Sequence, residues 1–200
     1  MSDPRALLRL LQVSDSGFPT GAFAFSHGLE GLFAAGIVRD ERDIAAFVAL
    51  HLNEGFAGIE CPAMVWSWRA VRGGDLAALL ELDGLVDALK PVPAFRSGSV
   101  RTGRGLMRSA AGVVEGALLG AYRARVAASG TPGHHAVAFG AVMACAGVAF
   151  VGRTGEDYAV PYGNAVVVQT DDPRELGAHL ATLRGDPALG ARIRGEGRET

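Results

Sequence analysis

Three side chains that could act as nucleophile, base and orienting acid lie close together near the start of the chain. Ser26, His27 and Glu30 occur in the stretch SDSGFPTGAFAFSHGLEGL. His27 and Glu30 are three positions apart and share one helix face, and Ser26 is adjacent. A triad needs side chains that converge on one point, which neighbouring positions on one helix rarely supply. No G-x-S-x-G elbow occurs in the sequence. The stretch therefore favours a structural or partner-contact role over catalysis.

Histidines are the second group with possible chemistry. His134 and His135 are adjacent at a predicted helix start. Neighbouring helical positions point about 100° apart, so the two imidazoles would chelate one ion poorly. A metal at His134 would need ligands from elsewhere, such as a second subunit. The alternative is a capping or packing histidine. His51, which shares a helix face with Glu54, is expected on a solvated surface, as is His179.

A basic stretch lies near the middle of the chain. Guanidinium groups suit the recognition of phosphates and carboxylates, and a solvated helix face is the equal alternative. No Walker loop and no G-x-G-x-x-G fingerprint accompanies these residues. The stretch consists of Arg96, Arg101, Arg104 and Arg108.

The elements that must position these residues are predicted to be helices through residue 150. Apolar residues recur at helical spacing, beginning with Leu7, Leu8 and Leu11. Asp40 or Asp43, and later Asp75, are predicted N-caps. The last helix of this part is predicted from His135 to about Phe150.

Proline and glycine punctuate the predicted helices. Pro62 is expected to kink or split a long helix, because it removes a backbone donor. Gly112, Gly116 and Gly120 recur every fourth residue in a pattern that is otherwise helical from Phe95 to Ser129. We expect these glycines to line one helix face, where another helix backbone approaches closely.

The character of the chain changes after Val151. The run NAVVVQ is typical of a buried strand, and Asp172, Pro173 and Glu175 then form a helix-start signal. The fold class predicted is an all-α helical bundle over residues 1–150, followed by a short α/β-type strand-helix-helix segment over residues 151–200.

Composition narrows the function further. The chain of 200 residues is 49% hydrophobic and 20% charged with a net charge of −2, which is typical of a globular protein that does not bind nucleic acid. The two cysteines, Cys61 and Cys145, lie in separate apolar runs and are expected to be reduced, in a cytoplasmic protein. The most apolar run, from Ala136 to Val151, is shorter than the ~20 residues of a membrane span. No membrane association is predicted.

Three blocks of the sequence, in order, resemble the UreF family of urease accessory proteins. The blocks are LLQVSDSGFPTGAFAFSHGLE, FRSGSVRTGRGLM and GHHAVAFG. Within them the matching residues are Phe18, Pro19, Gly21, Phe23, Ser26, Gly28, Glu30, Arg96, Ser97, Arg101, Gly103, His134, Val137 and Gly140.

This resemblance implies an all-α protein that is not an enzyme and holds no stably bound cofactor. UreF-like proteins dimerise and bind a UreD subunit, also called UreH. Together these recruit the UreG GTPase, and the assembly delivers nickel to apo-urease. The opening turn and helix, with His27, would then be a contact surface. The arginine stretch, including Arg104, would be a patch that faces the GTPase.

The last 50 residues resemble a different family. The segment NAVVVQTDDPRELGAHLATLRGDPALGARIRGEGRE is similar to the C-terminal part of a GT-B-type glycosyltransferase, which uses nucleotide sugars. Most of a donor-binding domain is missing, so a glycosyltransferase fragment is the alternative function, beside an unrelated helical interaction module. The UreF-like part is expected to lack its last helices, through a fusion or a divergent C-terminus.

Overall fold

The computed structural model describes residues 4–22, 26–151 and 166–168 of the chain. Within these residues the fold is all-α apart from one short hairpin, which confirms the predicted fold class. The helices are α1 (Pro4–Ser14), α2 (Leu29–Ala34), α3 (Glu41–Leu50), a π-helix (His51–Glu60), α4 (Cys61–Arg72), α5 (Leu76–Ala88), α6 (Pro93–Ser109), a 3-10 turn (Ala110–Gly112), α7 (Ala117–Ala127) and α8 (His135–Ala146).

Aspartates begin two of these helices, as predicted. The Asp40 carboxylate accepts hydrogen bonds from the backbone N–H groups of Arg42 and Asp43, at 2.9 and 3.0 Å. Asp75 accepts from the N–H of Ala78 at 2.9 Å. Each carboxylate satisfies N–H groups that have no partner within the helix, so α3 and α5 start at these residues. Asp43, the other predicted cap, accepts from the N–H of Arg39 instead.

The helical run from Glu41 to Arg72 changes its hydrogen-bond pattern ahead of Pro62. The π-helix occupies the ten residues before α4, and Pro62 stands in the first turn of α4. The Cys61 N–H donates to the Phe56 carbonyl, five residues back. Because proline lacks a donor and crowds the carbonyl of the preceding turn, an α-helical pattern cannot continue through it unchanged. The helical run is therefore not split at Pro62, and a kink there stays a prediction.

The core is built around α8, in which nine of the twelve residues are buried. This helix packs mainly against α4 and α6. Gly140 allows the closest approach, because a Cβ added there would lie 2.2 Å from the Met64 carbonyl oxygen. The buried Ser67 hydroxyl donates to the Val137 carbonyl at 2.6 Å and joins the same two helices. A helix that is apolar all round belongs in a core rather than in an amphipathic surface layer.

α8 ends earlier than predicted. Gly147, at φ 79°, closes the helix after Ala146, so it does not reach Phe150. The chain enters β1 (Ala149–Val151), which pairs antiparallel with β2 (Val166–Val168). β2 lies within the predicted strand run NAVVVQ. The predicted helices after Asp172 lie outside the described residues.

The expected glycine stripe is wrong. α6 ends at Ser109, and α7 starts only after Gly116, which has an extended backbone with φ 176°. Gly112 and Gly120 therefore lie in different elements, and a Cβ at either would meet nothing within 4 Å. A break in the helix resets the angular spacing, so a four-residue repeat across it no longer defines a face.

The segment from Leu29 to Glu60, which we call the arm, lies mostly outside the core, although Val38 is buried and Phe56 packs against the core cluster. None of the residues within α2, α3 and the π-helix is buried. The longer run Glu41–Arg72 has the length and apolar content of a membrane span, a test that the core helix of a soluble protein also passes. The arm thus leaves an apolar surface uncovered.

Candidate functional site

The opening turn lies against α6. A Cβ added at Gly105 would lie 2.2 Å from the Thr20 carbonyl oxygen, so only glycine permits this approach. The Ser109 hydroxyl donates to the Pro19 carbonyl at 2.8 Å. Gly21, at φ 79°, adopts a left-handed backbone that favours glycine. The first two sequence blocks are therefore in direct contact.

The turn that precedes α8 packs on the same helix. A Cβ at Gly103 would lie 2.2 Å from the Gly133 carbonyl oxygen. The Nε of the next residue, Arg104, donates to the Pro132 carbonyl at 2.9 Å. α6 thus joins all three sequence blocks into one structural unit.

The Asp83 carboxylate binds the turn that precedes α8, and Asp83 is not among the functional residues predicted from the sequence. Its buried carboxylate accepts from the Thr131 hydroxyl at 2.6 Å and from the N–H groups of Gly133 and His134 at 2.7 and 2.8 Å. A buried carboxylate is tolerated only where donors replace its lost water. Its position on the apolar face of α5, between leucines, is the signal that could have identified it.

His134 occupies a fully buried position at the start of α8. Its Nδ1 lies 3.1 Å from the Ser99 hydroxyl and its Nε2 lies 3.1 Å from an Asp87 carboxylate oxygen. Both ring nitrogens are engaged, and no group of three potential ligands surrounds a metal position within the described residues. The geometry is that of the packing alternative, so a metal at His134 would have to displace both contacts.

The arginine stretch divides into two kinds of residue. Arg101 and Arg108 are exposed on α6. Arg104 is half-buried in its contact with the Pro132 carbonyl, and the Arg96 Nε donates to the Lys90 carbonyl at 2.8 Å. Arg96 and Arg104 thus bind backbone carbonyls of the chain itself. Ser97, the remaining α6 residue of the predicted surface, is exposed.

The predicted cluster near the start of the chain is organised around His27. This residue has a left-handed backbone at φ 52°, and its ring centroid lies 4.6 Å from that of His51 and 6.2 Å from that of Phe95. Burial lowers the pKa of His27, and His51 lowers it further, although the side chain keeps exposed surface. His51 is half-buried, so its expected place on a solvated face is wrong. Glu30 is exposed on α2.

Two surface depressions involve these residues. A cavity of about 590 Å³ lies between the π-helix and α6, lined mainly by apolar side chains and by His27, His51, Ser99 and His135. The Glu60–Lys90 ion pair forms part of its wall. A smaller depression is formed by Ser16, Gly17, Phe18, Pro19 and Gly21. Phe23 lies outside the described residues.

The fold and these surfaces define a class: an all-α protein with an uncovered apolar arm, the kind of surface that contacts other proteins. The UreF family model matches residues 38–150. The chain therefore belongs to the UreF family of urease accessory proteins.

Individual relatives agree with this family. The urease accessory protein UreF of Trichodesmium erythraeum is 30% identical over 147 residues, which cover 74% of this chain and 63% of the relative. UreF 1 of Brucella melitensis is 32% identical over 180 residues, covering 89% and 69%. The chain thus spans about two thirds of the length of these proteins. No solved structure gives a significant match.

The division at residue 151 stays a prediction, as does the glycosyltransferase-like interpretation of residues 151–200. Most of those residues lie outside the described part of the chain.

Proposed function

We propose that this chain is a scaffold in urease maturation that bridges a UreD-like subunit and a UreG-like GTPase while nickel is delivered to apo-urease. Nickel is the cargo of the assembly, and the chain itself needs no stably bound cofactor. Its place of action is the cytoplasm. The observation that carries this proposal is the uncovered apolar arm in a member of an accessory-protein family.

The arm has the surface of a protein interface. Ile44, Val48 and Leu52 are spaced four residues apart and are 44–48% exposed. Phe33 and Ile37, at 68% and 61%, extend the same segment. Leaving apolar area in water costs about 25 cal/mol per Å², so a surface of this extent is expected to be covered in the working complex. We assign it to the homodimer that the family resemblance implies.

The opening turn and α6 supply the surfaces for the other partners. Phe18, Pro19 and Gly21 present a rigid turn, because Gly105 and Ser109 hold its backbone. We assign this turn and the following helix, with Ser26 and Glu30, to the UreD-like subunit. The exposed Arg101 and Arg108 form the patch for the GTPase, since guanidinium groups pair well with carboxylates on a protein surface.

Complex formation tests the proposal. The purified chain is mixed with UreD-like and UreG-like proteins under reducing conditions and analysed by size-exclusion chromatography with light scattering. We expect one complex that contains all three chains. A folded chain that binds neither protein would refute the scaffold function.

Paired variants separate the surfaces. Val48→Asp is expected to dissociate the homodimer, whereas Leu85→Asp, which changes a similarly exposed apolar residue on α5, is expected to leave it intact. Arg101→Glu with Arg108→Glu should lose the GTPase and keep the UreD-like subunit. If Leu85→Asp dissociates the dimer and Val48→Asp does not, the assignment of the arm is wrong.

A further inference from the structure

Three helices bring a serine, a histidine and an aspartate into one hydrogen-bonded chain. Ser99 lies on α6, His134 stands at the start of α8, and Asp87 lies on α5. The distances along the chain are 3.1 Å from the Ser99 Oγ to the His134 Nδ1, and 3.1 Å from the His134 Nε2 to the Asp87 Oδ1. The hydrogen-bonded group of Ser99, His134 and Asp87 does not include Ser26, His27 or Glu30.

Hydrogen-bond chemistry determines which atom donates at each contact between Ser99, His134 and Asp87. An ionised Asp87 carboxylate only accepts, so the His134 Nε2 carries the hydrogen that it donates. The His134 Nδ1 then carries a lone pair and no hydrogen, so it accepts a hydrogen bond from the Ser99 hydroxyl. Arg96, whose Nε lies 3.9 Å from the same carboxylate oxygen, adds a positive charge next to Asp87. An aspartate that fixes the tautomer of a histidine, which in turn accepts from a serine, is the arrangement that activates serine as a nucleophile.

The serine end of the chain opens onto the 590 Å³ cavity. Ser99 lines that cavity together with Ala136 and Phe139, whereas His134 is fully buried behind it. The volume and the apolar walls suit an acyl chain of several carbons. The backbone N–H of His135 lies 3.4 Å from the Ser99 Oγ. This N–H donates to the Ser99 hydroxyl, so Ser99 lies beside the first turn of α8.

We propose that Ser99 is a nucleophile that accepts an acyl group from an activated ester with an apolar acyl chain. The Ser99 Oγ attacks the carbonyl carbon, and its proton passes to the His134 Nδ1. The bond from the carbonyl carbon to the leaving oxygen breaks, and the leaving group takes that proton and departs as an alcohol. Water then hydrolyses the acyl-serine, which releases the carboxylic acid and restores Ser99. This activity is separate from the proposed scaffold function.

Covalent labelling tests the nucleophile directly. The purified full chain is incubated with an alkyl fluorophosphonate, which forms a Ser Oγ–phosphorus bond with loss of fluoride. Intact mass and peptide mapping then locate the label. We expect one label, on Ser99, in the wild-type chain and none in Ser99→Ala. Ser14→Ala, which removes an exposed hydroxyl at the end of α1 that does not line the cavity, is expected to keep the wild-type labelling rate.

The positioning role of Asp87 has its own readout. Asp87→Asn can no longer select the same histidine tautomer, so the labelling rate should fall by roughly a hundredfold, the order expected for loss of base catalysis. Release of p-nitrophenol from p-nitrophenyl octanoate is expected to fall in parallel. Circular dichroism verifies that each variant is folded. The proposal is overturned by an unlabelled wild-type chain, by a label on another serine, or by a folded Asp87→Asn variant that labels at the wild-type rate.

Discussion

The contact between α4 and α8 depends on Gly140, and the structure gives the cost of filling that space. In Gly140→Ala the new methyl group would lie 2.2 Å from the Met64 carbonyl oxygen and 2.9 Å from the Ser67 Cβ. An ordinary contact needs about 3.4 Å, so the two helices must separate by roughly 1 Å in a core that tolerates little rearrangement. That separation also weakens the 2.6 Å bond from Ser67 to the Val137 carbonyl. We expect a loss of about 3 kcal/mol of unfolding free energy.

Gly120→Ala is the matched control. Gly120 lies inside α7, and a Cβ there would meet nothing within 4 Å. Alanine in an open helical position stabilises by about 0.5–1 kcal/mol, so this variant should move in the opposite direction. Urea denaturation of both variants, read by circular dichroism, gives the two changes from the midpoints at an unchanged m-value. A Gly140→Ala variant as stable as the wild type would show that α4 and α8 do not approach as closely as described.

Three further predictions concern ionisable groups. Asp83→Ala leaves the Thr131 hydroxyl and two backbone N–H groups without their acceptor, and it should cost roughly 3 kcal/mol in the same denaturation assay; a variant within 0.5 kcal/mol of wild type (about the scatter of such values) would contradict the anchoring role. Burial lowers the folded-state pKa values of His27 and His135, so the unfolded chain binds more protons below pH 6.5, and stability should fall as the pH drops from that value towards the folded pKa values. Denaturation at several pH values checks this sign, and a pH dependence unchanged in a His27→Gln, His135→Gln double variant would remove these residues as its cause. Burial raises the pKa of Cys61 to about 12, so a thiol reagent such as DTNB should modify it only on unfolding, and rapid reaction of Cys61 in the native protein would contradict its burial.

Local signals in the sequence predicted the helical fold and several of its boundaries. Asp40 and Asp75 cap helices because a short carboxylate next to free N–H groups stabilises a helix start in almost any surroundings. The resemblance to UreF likewise depends on the order of residues along the chain. None of these inferences depends on which helices pack against each other.

The three-dimensional packing determined the rest. Gly112, Gly116 and Gly120 looked like one helix face only while the helix was assumed to continue, and the close contacts are made instead at Gly103, Gly105 and Gly140.

His27 similarly packs on His51, 24 positions away. Ser99, Asp87 and His134 meet although the last two are 47 positions apart in the sequence. Periodicity reports which residues share a face of one helix, whereas contacts between helices depend on how closely their backbones approach. That distance is decided by packing across the whole core.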